Sequence, residues 1–189
     1  MRLLYEVKEV PPQTATELID QYQERLQGIE PCGLYDLEDL LKAAFNELEV
    51  LSERKLLSQE TCFSVYQQLN WLKMQLPTLE RCICHGDFGD RNIMMDQDRK
   101  YYVIDWEDAF WGYKEYDYIY WLTFFNHRKY YQMKDLLDVG ERPEIEKATA
   151  TLILIIKEAI SLYSGSYRNN SLGLEDRLLE MWKIWDTRI

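Results

Sequence analysis

No run of about eighteen apolar residues occurs in the sequence, and no apolar h-region follows its first residues, so it predicts neither membrane spanning nor export. Cysteine is sparse: Cys32, Cys62, Cys82 and Cys84 are too few in 189 residues for a disulfide framework and predict a reducing, cytoplasmic setting. Basic side chains are outnumbered, 22 against 33 acidic ones, and a net charge of −11 excludes nucleic acid as a partner because phosphate is repelled by such a surface. That acidity serves first to keep the chain in solution, and it would also draw in a cationic small molecule. Glycine is scarce, eight in all with none before Gly28, so no glycine-rich loop opens the chain. Internal repeats and low-complexity tracts are absent as well.

What is present is a core. Hydrophobic residues make up 47% of the chain, enough for one good-sized domain or two small ones. Leu3 to Val10 has the mixed alternation of a strand and is stopped by Pro11-Pro12. Thr14 or Thr16 is predicted to cap a first helix that reaches Gly28, with Leu18, Tyr22 and Leu26 on one face. A turn-rich Glu30-Pro31-Cys32-Gly33 follows. Asp36 then caps a longer helix with Leu37, Leu40, Leu41, Ala44, Leu48 and Leu51 at helical spacing. Ser58 begins a third helix, through Phe63, Tyr66, Leu69 and Leu72, that ends at Leu76-Pro77.

Towards the C-terminus, Pro143 opens a helix with Glu144 and Glu146 in its first turn. Its middle, Leu152 to Ile156, is apolar nearly all round, and it ends near Ser164-Gly165. Ser171 precedes a last helix carrying Leu174, Leu178, Met181, Trp182 and Trp185. Between these helical regions, the residues after Asp117 are aromatic. Ile119, Trp121, Leu122 and Phe125 form one predicted core-facing stripe, with Tyr118, Phe124 and Tyr130 as further members. Such a concentration could cage a quaternary ammonium by cation–π attraction, but packing is the commoner cause. His127, Arg128, Lys129 and Lys134 read as solvated surface charge.

The chemistry lies between Cys82 and Asp117. Three short strand-like runs, Cys82-Cys84, Ile93-Met95 and Tyr101-Ile104, predict a small antiparallel β element, and His85-Gly86-Asp87, Asn92 and Asp105 sit at their ends. An Asp, an Asn five residues on and an Asp thirteen beyond that is the order in which a kinase-type phosphotransferase presents its reacting groups. A carboxylate at Asp87 can take the proton of an attacking hydroxyl. Asn92 offers a neutral oxygen and Asp105 a charged one, a set that suits Mg²⁺ better than zinc. Asp, Asn and Gly also shape turns in proteins of every kind. The joint occurrence of three such elements, each beside a strand-like run, favours a site. Strand alternation sends Cys82 and Cys84 to one face and His85 to the other, which argues against a zinc site there.

These motifs resemble the aminoglycoside phosphotransferase and choline kinase family, small-molecule relatives of the protein kinases. His85-Gly86-Asp87 followed by Asn92 resembles its catalytic loop, and Ile104-Asp105-Trp106-Glu107, with Gly112 and then Asp117, resembles its metal-binding segment. The resemblance implies an α+β, mainly α fold: a kinase-like C-terminal lobe whose small β element carries the catalytic and metal-binding loops. It implies Asp87 as catalytic base, Asn92 and Asp105 as ligands of Mg²⁺ and thereby of the nucleotide, and His85 and Asp117 as supports of the loop. ATP or another nucleoside triphosphate would be the phosphoryl donor. Residues 1–12 would be a hinge-like strand and linker and 13–189 the catalytic lobe. The N-terminal nucleotide-covering lobe, with its glycine-rich loop and strand lysine, is expected to be absent. The sequence departs from the pattern in Gly89 and Asp90, where many members have His and Pro, and in lacking Pro after Gly112.

Two classes of function follow. One is the catalytic lobe of an ATP-dependent small-molecule kinase acting on a hydroxylated, cationic or neutral acceptor. The other is a kinase-like binding module, or a truncated fragment, without activity of its own. Loss of the covering lobe would leave the Leu3–Val10 strand an exposed, unpaired edge, open to a second copy near Tyr5 or to the missing lobe.

Overall fold

The computed structural model describes residues 3–8, 10–29, 33–124, 142–165 and 173–186. Phe125, His127, Arg128, Lys129, Tyr130, Tyr131, Lys134 and Ser171 lie outside them, as do Glu30, Pro31 and Cys32. The chain divides into two compact units, Met1–Asp36 with Glu80–Val139, and Leu37–Leu79 with Gly140–Ile189. The fold is α+β and mainly α.

The first unit holds strand β1 (Leu4–Glu6), helix α1 (Pro12–Leu26), strands β2 (Tyr35–Asp36), β3 (Arg81–Cys84), β4 (Ile93–Asp96), β5 (Tyr101–Val103) and β6 (Phe110–Tyr113), and helix α4 (Tyr116–Phe124). The strand-like runs do not share one sheet. β4 and β5 form an antiparallel hairpin, with Ile93 opposite Val103, and join β1 in a first three-stranded sheet. β3 instead pairs antiparallel with β6, with Cys84 opposite Phe110, and β2 adds to β6 in parallel. The single β element expected from three runs is thus two sheets. β2 and β6 went unseen because two to four residues around a Gly give no periodicity to read.

β1 is shorter than the predicted Leu3–Val10 and has β4 on one side, so its outer edge alone lacks a strand among the described residues. Its side chains are exposed. α1 begins at Pro12, with Pro11 as N-cap, and neither Thr14 nor Thr16 caps it. Proline at the first helical position loses no hydrogen bond, because that N–H is unpaired in any helix. The Thr16 hydroxyl instead donates back to the Pro12 carbonyl (3.1 Å).

The second unit consists of α2 (Leu37–Glu53), α3 (Gln59–Gln75), α5 (Pro143–Ser164) and α6 (Leu174–Asp186). Ser58 caps α3 by accepting from the Thr61 N–H, and Gly165, in the left-handed region at φ +76°, ends α5. Ala148 through Ile155 are all buried, as a helix apolar on every face requires. Leu174, Leu178, Met181, Trp182 and Trp185 are buried too. On α3 the core stripe is Val65, Leu69 and Leu72, while Phe63 and Tyr66, predicted to join it, are exposed. The two stripes are offset by about a third of a turn, and the aliphatic one is inward. No described helix is long and apolar enough to cross a membrane.

Candidate active site

The candidate site belongs wholly to the first unit and begins at the end of β3. Cys82 and Cys84 point to the same side, their sulfurs 3.9 Å apart, and Cys84 is fully buried. β6 passes so close that a Cβ on Gly112 would come within 2.6 Å of the Cys84 sulfur. The chain then turns at Gly86, at φ +83°, where any side chain would collide with the backbone carbonyl of Asp108. Gly86 is therefore required twice, for its dihedral and for the direct backbone approach of the segment after Asp105. Phe88 is fully buried and anchors the far side of the turn.

Asp117, in the first turn of α4 and fully buried, is the centre of this packing. One carboxylate oxygen accepts from the His85 N–H (2.7 Å) and from the Tyr22 hydroxyl (2.5 Å), the other from the Gly86 N–H (3.0 Å). All three partners are donors, which is the arrangement for an ionised carboxylate. Burial pushes its pKa up and the three donors pull it back. Burial first, and the Asp117 charge next, raise the Tyr22 pKa, so the phenol keeps its proton as a donor. Asp117 thus fixes two consecutive backbone amides immediately before Asp87.

His85 ties the loop to the opposite strand. Its Nδ1 accepts from the Asp87 N–H (3.3 Å), so the ring proton is on Nε2, which donates to the Ile104 carbonyl (2.8 Å). The ring is buried and packs against Trp106, with centroids 4.8 Å apart. Trp106 also meets Tyr22 edge-on at 5.0 Å. One imidazole therefore couples the backbone beside Asp87 to the residue before Asp105.

Asp87 is half-buried, and both of its carboxylate oxygens are engaged. Asn92 Nδ2 donates to Asp87 Oδ2 (3.0 Å) and to the Asp87 carbonyl (2.9 Å), while the Tyr120 hydroxyl donates to Oδ1. Asn92 ends a single 3-10 turn, Asp90–Asn92, and its own carbonyl accepts from the Ile104 N–H (2.9 Å). This extends the β4–β5 ladder and places Asp105 one residue past the position opposite Asn92. Asp105 is exposed and occupies the left-handed region (φ 64°, ψ 64°), which a non-glycine residue enters at a cost of about 1 kcal/mol or more. The turn takes Asp105 off the line of β5.

Among the described residues no three of His, Cys, Asp and Glu gather as a protein metal cage would need. The Asn92 side-chain oxygen, Oδ1, and the Asp105 carboxylate are nevertheless hard oxygen donors of the type Mg²⁺ takes when phosphate oxygens and waters complete its shell. The donor set fits that cation and does not fit structural zinc.

The sequence motifs did not reveal Tyr22, Tyr120 or the Trp121 indole, which donates to Asp90 Oδ1 (3.2 Å), and they gave Trp106 no role of its own. One signal was available: Tyr120 lies three residues after Asp117, so both share the α4 face that meets the loop.

Short strands carrying a histidine-braced Asp and Asn loop, set beside helices, define a small-molecule phosphotransferase fold. A model of the phosphotransferase enzyme family matches residues 8–137, well over half of the sequence, and the chain belongs to that family. Solved structures agree in fold. A choline/ethanolamine kinase family protein from Mesorhizobium loti aligns at TM-score 0.57 and 14% identity, over 92% of this chain and 62% of that one. Choline kinase LicA from Streptococcus pneumoniae aligns at 0.57 and 15%, over 93% and 64%. A thermostable mutant of aminoglycoside phosphotransferase APH(4)-Ia aligns at 0.60 and 15%, over 100% and 71%. The chain thus spans less than two thirds of the length of the two choline-kinase-type structures. A variant of APH(4)-Ia has been solved in a ternary complex with ADP and hygromycin B, and LicA in complex with AMP. No curated protein sequence matches the chain.

Proposed function

We propose that residues 13–189 act as the catalytic lobe of a nucleotide-dependent small-molecule kinase, with residues 1–12 as its hinge strand and linker, moving the γ-phosphoryl group to a hydroxyl. The observation that carries this reading is the junction of Asp87, Asn92 and Ile104-Asp105 by direct hydrogen bonds, with Asp117 and His85 fixing the backbone on either side. Asp87 accepts the proton of the acceptor hydroxyl, and its work is chiefly orientation because the transition state of phosphoryl transfer is loose. Asn92 Oδ1 and Asp105 would hold Mg²⁺ against the triphosphate. When bound there, the cation neutralises charge on the transferring group. His85 and Asp117 keep the loop from relaxing away from the hydroxyl.

ATP is the proposed donor, the acceptor a hydroxylated small molecule, with a cation favoured by the net charge of −11, and the setting the cytoplasm. ADP and AMP beside two of the similar structures support a nucleotide site in this fold. The described residues include no glycine-rich loop or strand lysine over the phosphates, so ATP affinity of the chain by itself is expected to be weak. A covering lobe, or a second copy at the outer edge of β1, would strengthen it.

Calorimetry with ATP, with and without Mg²⁺, comes first, followed by a phosphorylation screen of hydroxylated amines, sugars and aminoglycosides. Mg²⁺-dependent binding and a phosphorylated acceptor are the expected results. Binding without transfer to any acceptor, also in the presence of a covering lobe, would favour a kinase-like binding module.

A further inference from the structure

Asp87 is held from two directions by two different elements. Asn92, five residues further along the same loop, donates to Oδ2. Tyr120 reaches from α4 and donates to Oδ1. The Tyr120 side chain is only 4% exposed, so its ring is fixed by packing, and it lies 6.4 Å from the Tyr116 ring. Tyr120 belongs to the helix whose first turn supplies Asp117. A single rigid element therefore addresses the backbone before Asp87 through one residue and the Asp87 side chain through another, one turn later.

A carboxylate held at one oxygen can still turn about its Cβ–Cγ bond, since that torsion is broad. Held at both oxygens it cannot, and the plane of its remaining lone pairs is set. We propose that Tyr120 is a positioning residue of this site: its phenol locks the plane of the Asp87 carboxylate, so that an acceptor hydroxyl meets one lone pair in one orientation. The proposal rests on the phosphotransferase reading for its catalytic consequence, but the contact itself does not. Burial and the adjacent Asp87 charge both raise the phenol pKa, which keeps Tyr120 a neutral donor across the working pH range. The role requires the hydroxyl and not merely the ring. Phenylalanine would fill the same volume while removing this donor to Oδ1.

The test has two arms on the full chain. In the first, 3-fluorotyrosine is placed at position 120 and its ¹⁹F line is recorded in the wild-type background, in Asp87→Asn and in Glu47→Gln, a control at a half-buried position of α2. The expected result is a line that moves in Asp87→Asn and stays in Glu47→Gln. A line unmoved by Asp87→Asn would overturn the contact and the proposal with it. In the second arm Tyr120→Phe is assayed with the acceptor found by screening. It should lower kcat about ten-fold, a part of what an oriented base contributes, with both KM values within about two-fold. Unchanged kcat, or a fall matched by loss of folded protein in thermal melts, would reduce Tyr120 to a packing residue and overturn the role. If wild type transfers no phosphoryl group to any acceptor, the phosphotransferase reading fails, while the ¹⁹F arm still decides the contact. Should Tyr120→Phe not fold, 3-fluorotyrosine itself serves as the second variant. It keeps the ring nearly the same size but makes the hydroxyl a stronger donor, so a kcat changed by more than about two-fold at an unchanged folded fraction would support the hydrogen bond, and an unchanged kcat would reduce Tyr120 to a packing residue.

Discussion

The unit that carries Asp87 and the unit built from α2, α3, α5 and α6 both bury polar side chains, but they aim them differently. In the first, beside the side-chain bonds made to Asp87 and Asp117, many polar contacts end on backbone: Asp117 holds the amides of His85 and Gly86, His85 holds the Asp87 amide and the Ile104 carbonyl, and Asn92 holds the Asp87 carbonyl. In the second they chiefly join side chains of different helices. Trp182 and Thr151, Thr151 and Gln68, Trp185 and Glu146, and Arg177 and Glu158 are such pairs. A network addressed to backbone fixes the path of a loop that has little regular structure to hold it. Pairs addressed to side chains fix the register of helices whose backbone already satisfies itself. Loss of a polar group should therefore disturb geometry at a distance in the first unit and cost mainly local stability in the second.

The largest expected effect tests the site inside that frame. Asp87→Asn should lower turnover by about a thousand-fold while leaving Mg²⁺-nucleotide affinity largely intact, since the proposed role of Asp87 is toward the hydroxyl and not the metal. Asp105→Ala should instead weaken Mg²⁺-dependent nucleotide binding, with Asn92→Ala a milder form of the same loss. Parallel calorimetric titrations and rate measurements decide this, and an equal loss of nucleotide affinity in Asp87→Asn and Asp105→Ala would mean the roles are misassigned.

Next in size is Asp117→Ala, which strands three buried donors and should cost about 3–4 kcal/mol of stability. Turnover of the molecules that remain folded should fall with it, since the amides before Asp87 are released. Full turnover per folded molecule, after correction by thermal or urea melts, would break the link between backbone bracing and catalysis.

The matching change in the second unit is Leu69→Ala at a fully buried position of α3, expected to cost about 3 kcal/mol through lost contacts and a cavity. Here the contrast predicts stability loss alone, with turnover per folded molecule unchanged. A parallel fall in turnover would erase the distinction drawn between the units.

The smallest effect is at Glu175, which accepts from the Ser58 N–H and hydroxyl and from the Thr61 hydroxyl at the start of α3. The side-chain bonds of Ser58 and then Thr61 lower its pKa from the ordinary 4.5. Because the folded value is depressed, the stabilisation is present above pH 4.5 and is lost as pH falls through the lowered value. Glu175→Gln should cost about 0.5 kcal/mol at neutral pH, the group being close to solvent, and the difference from wild type should vanish in acid. Melting temperatures followed from neutral pH into that range give the answer, and a gap that persists at the acid end would mean the carboxylate charge plays no part.

The helices were legible because burial imposes a period that one-dimensional pattern carries. Leu174, Leu178, Met181, Trp182 and Trp185 are spaced for one face and lie on it, and Ser58 and Gly165 bracket α3 and α5 as their local chemistry dictates. The candidate site was legible only through joint occurrence: Asp and Asn alone shape turns everywhere, but Asp87, Asn92 and Asp105 each stand beside a strand-like run in one short stretch. Phe63 and Tyr66 were misplaced because a hydrophobic side chain one third of a turn off the core face has the same composition as one on it. The division of the strands into two sheets was beyond reach, since β6 is recognised only by the partner it has in space, and its Gly112 only by the Cys84 sulfur it admits.

What the sequence by itself determined is the order of elements and the residues able to take part in chemistry, because both follow from local spacing and side-chain type. Only the tertiary structure decided that Tyr22 and Asp117, 95 positions apart, share a hydrogen bond, that Gly86 must be glycine because Asp108 lies against it, and that Tyr120 touches Asp87. Those facts depend on which surfaces meet. A buried donor reveals its acceptor only once the fold has removed water as the alternative partner.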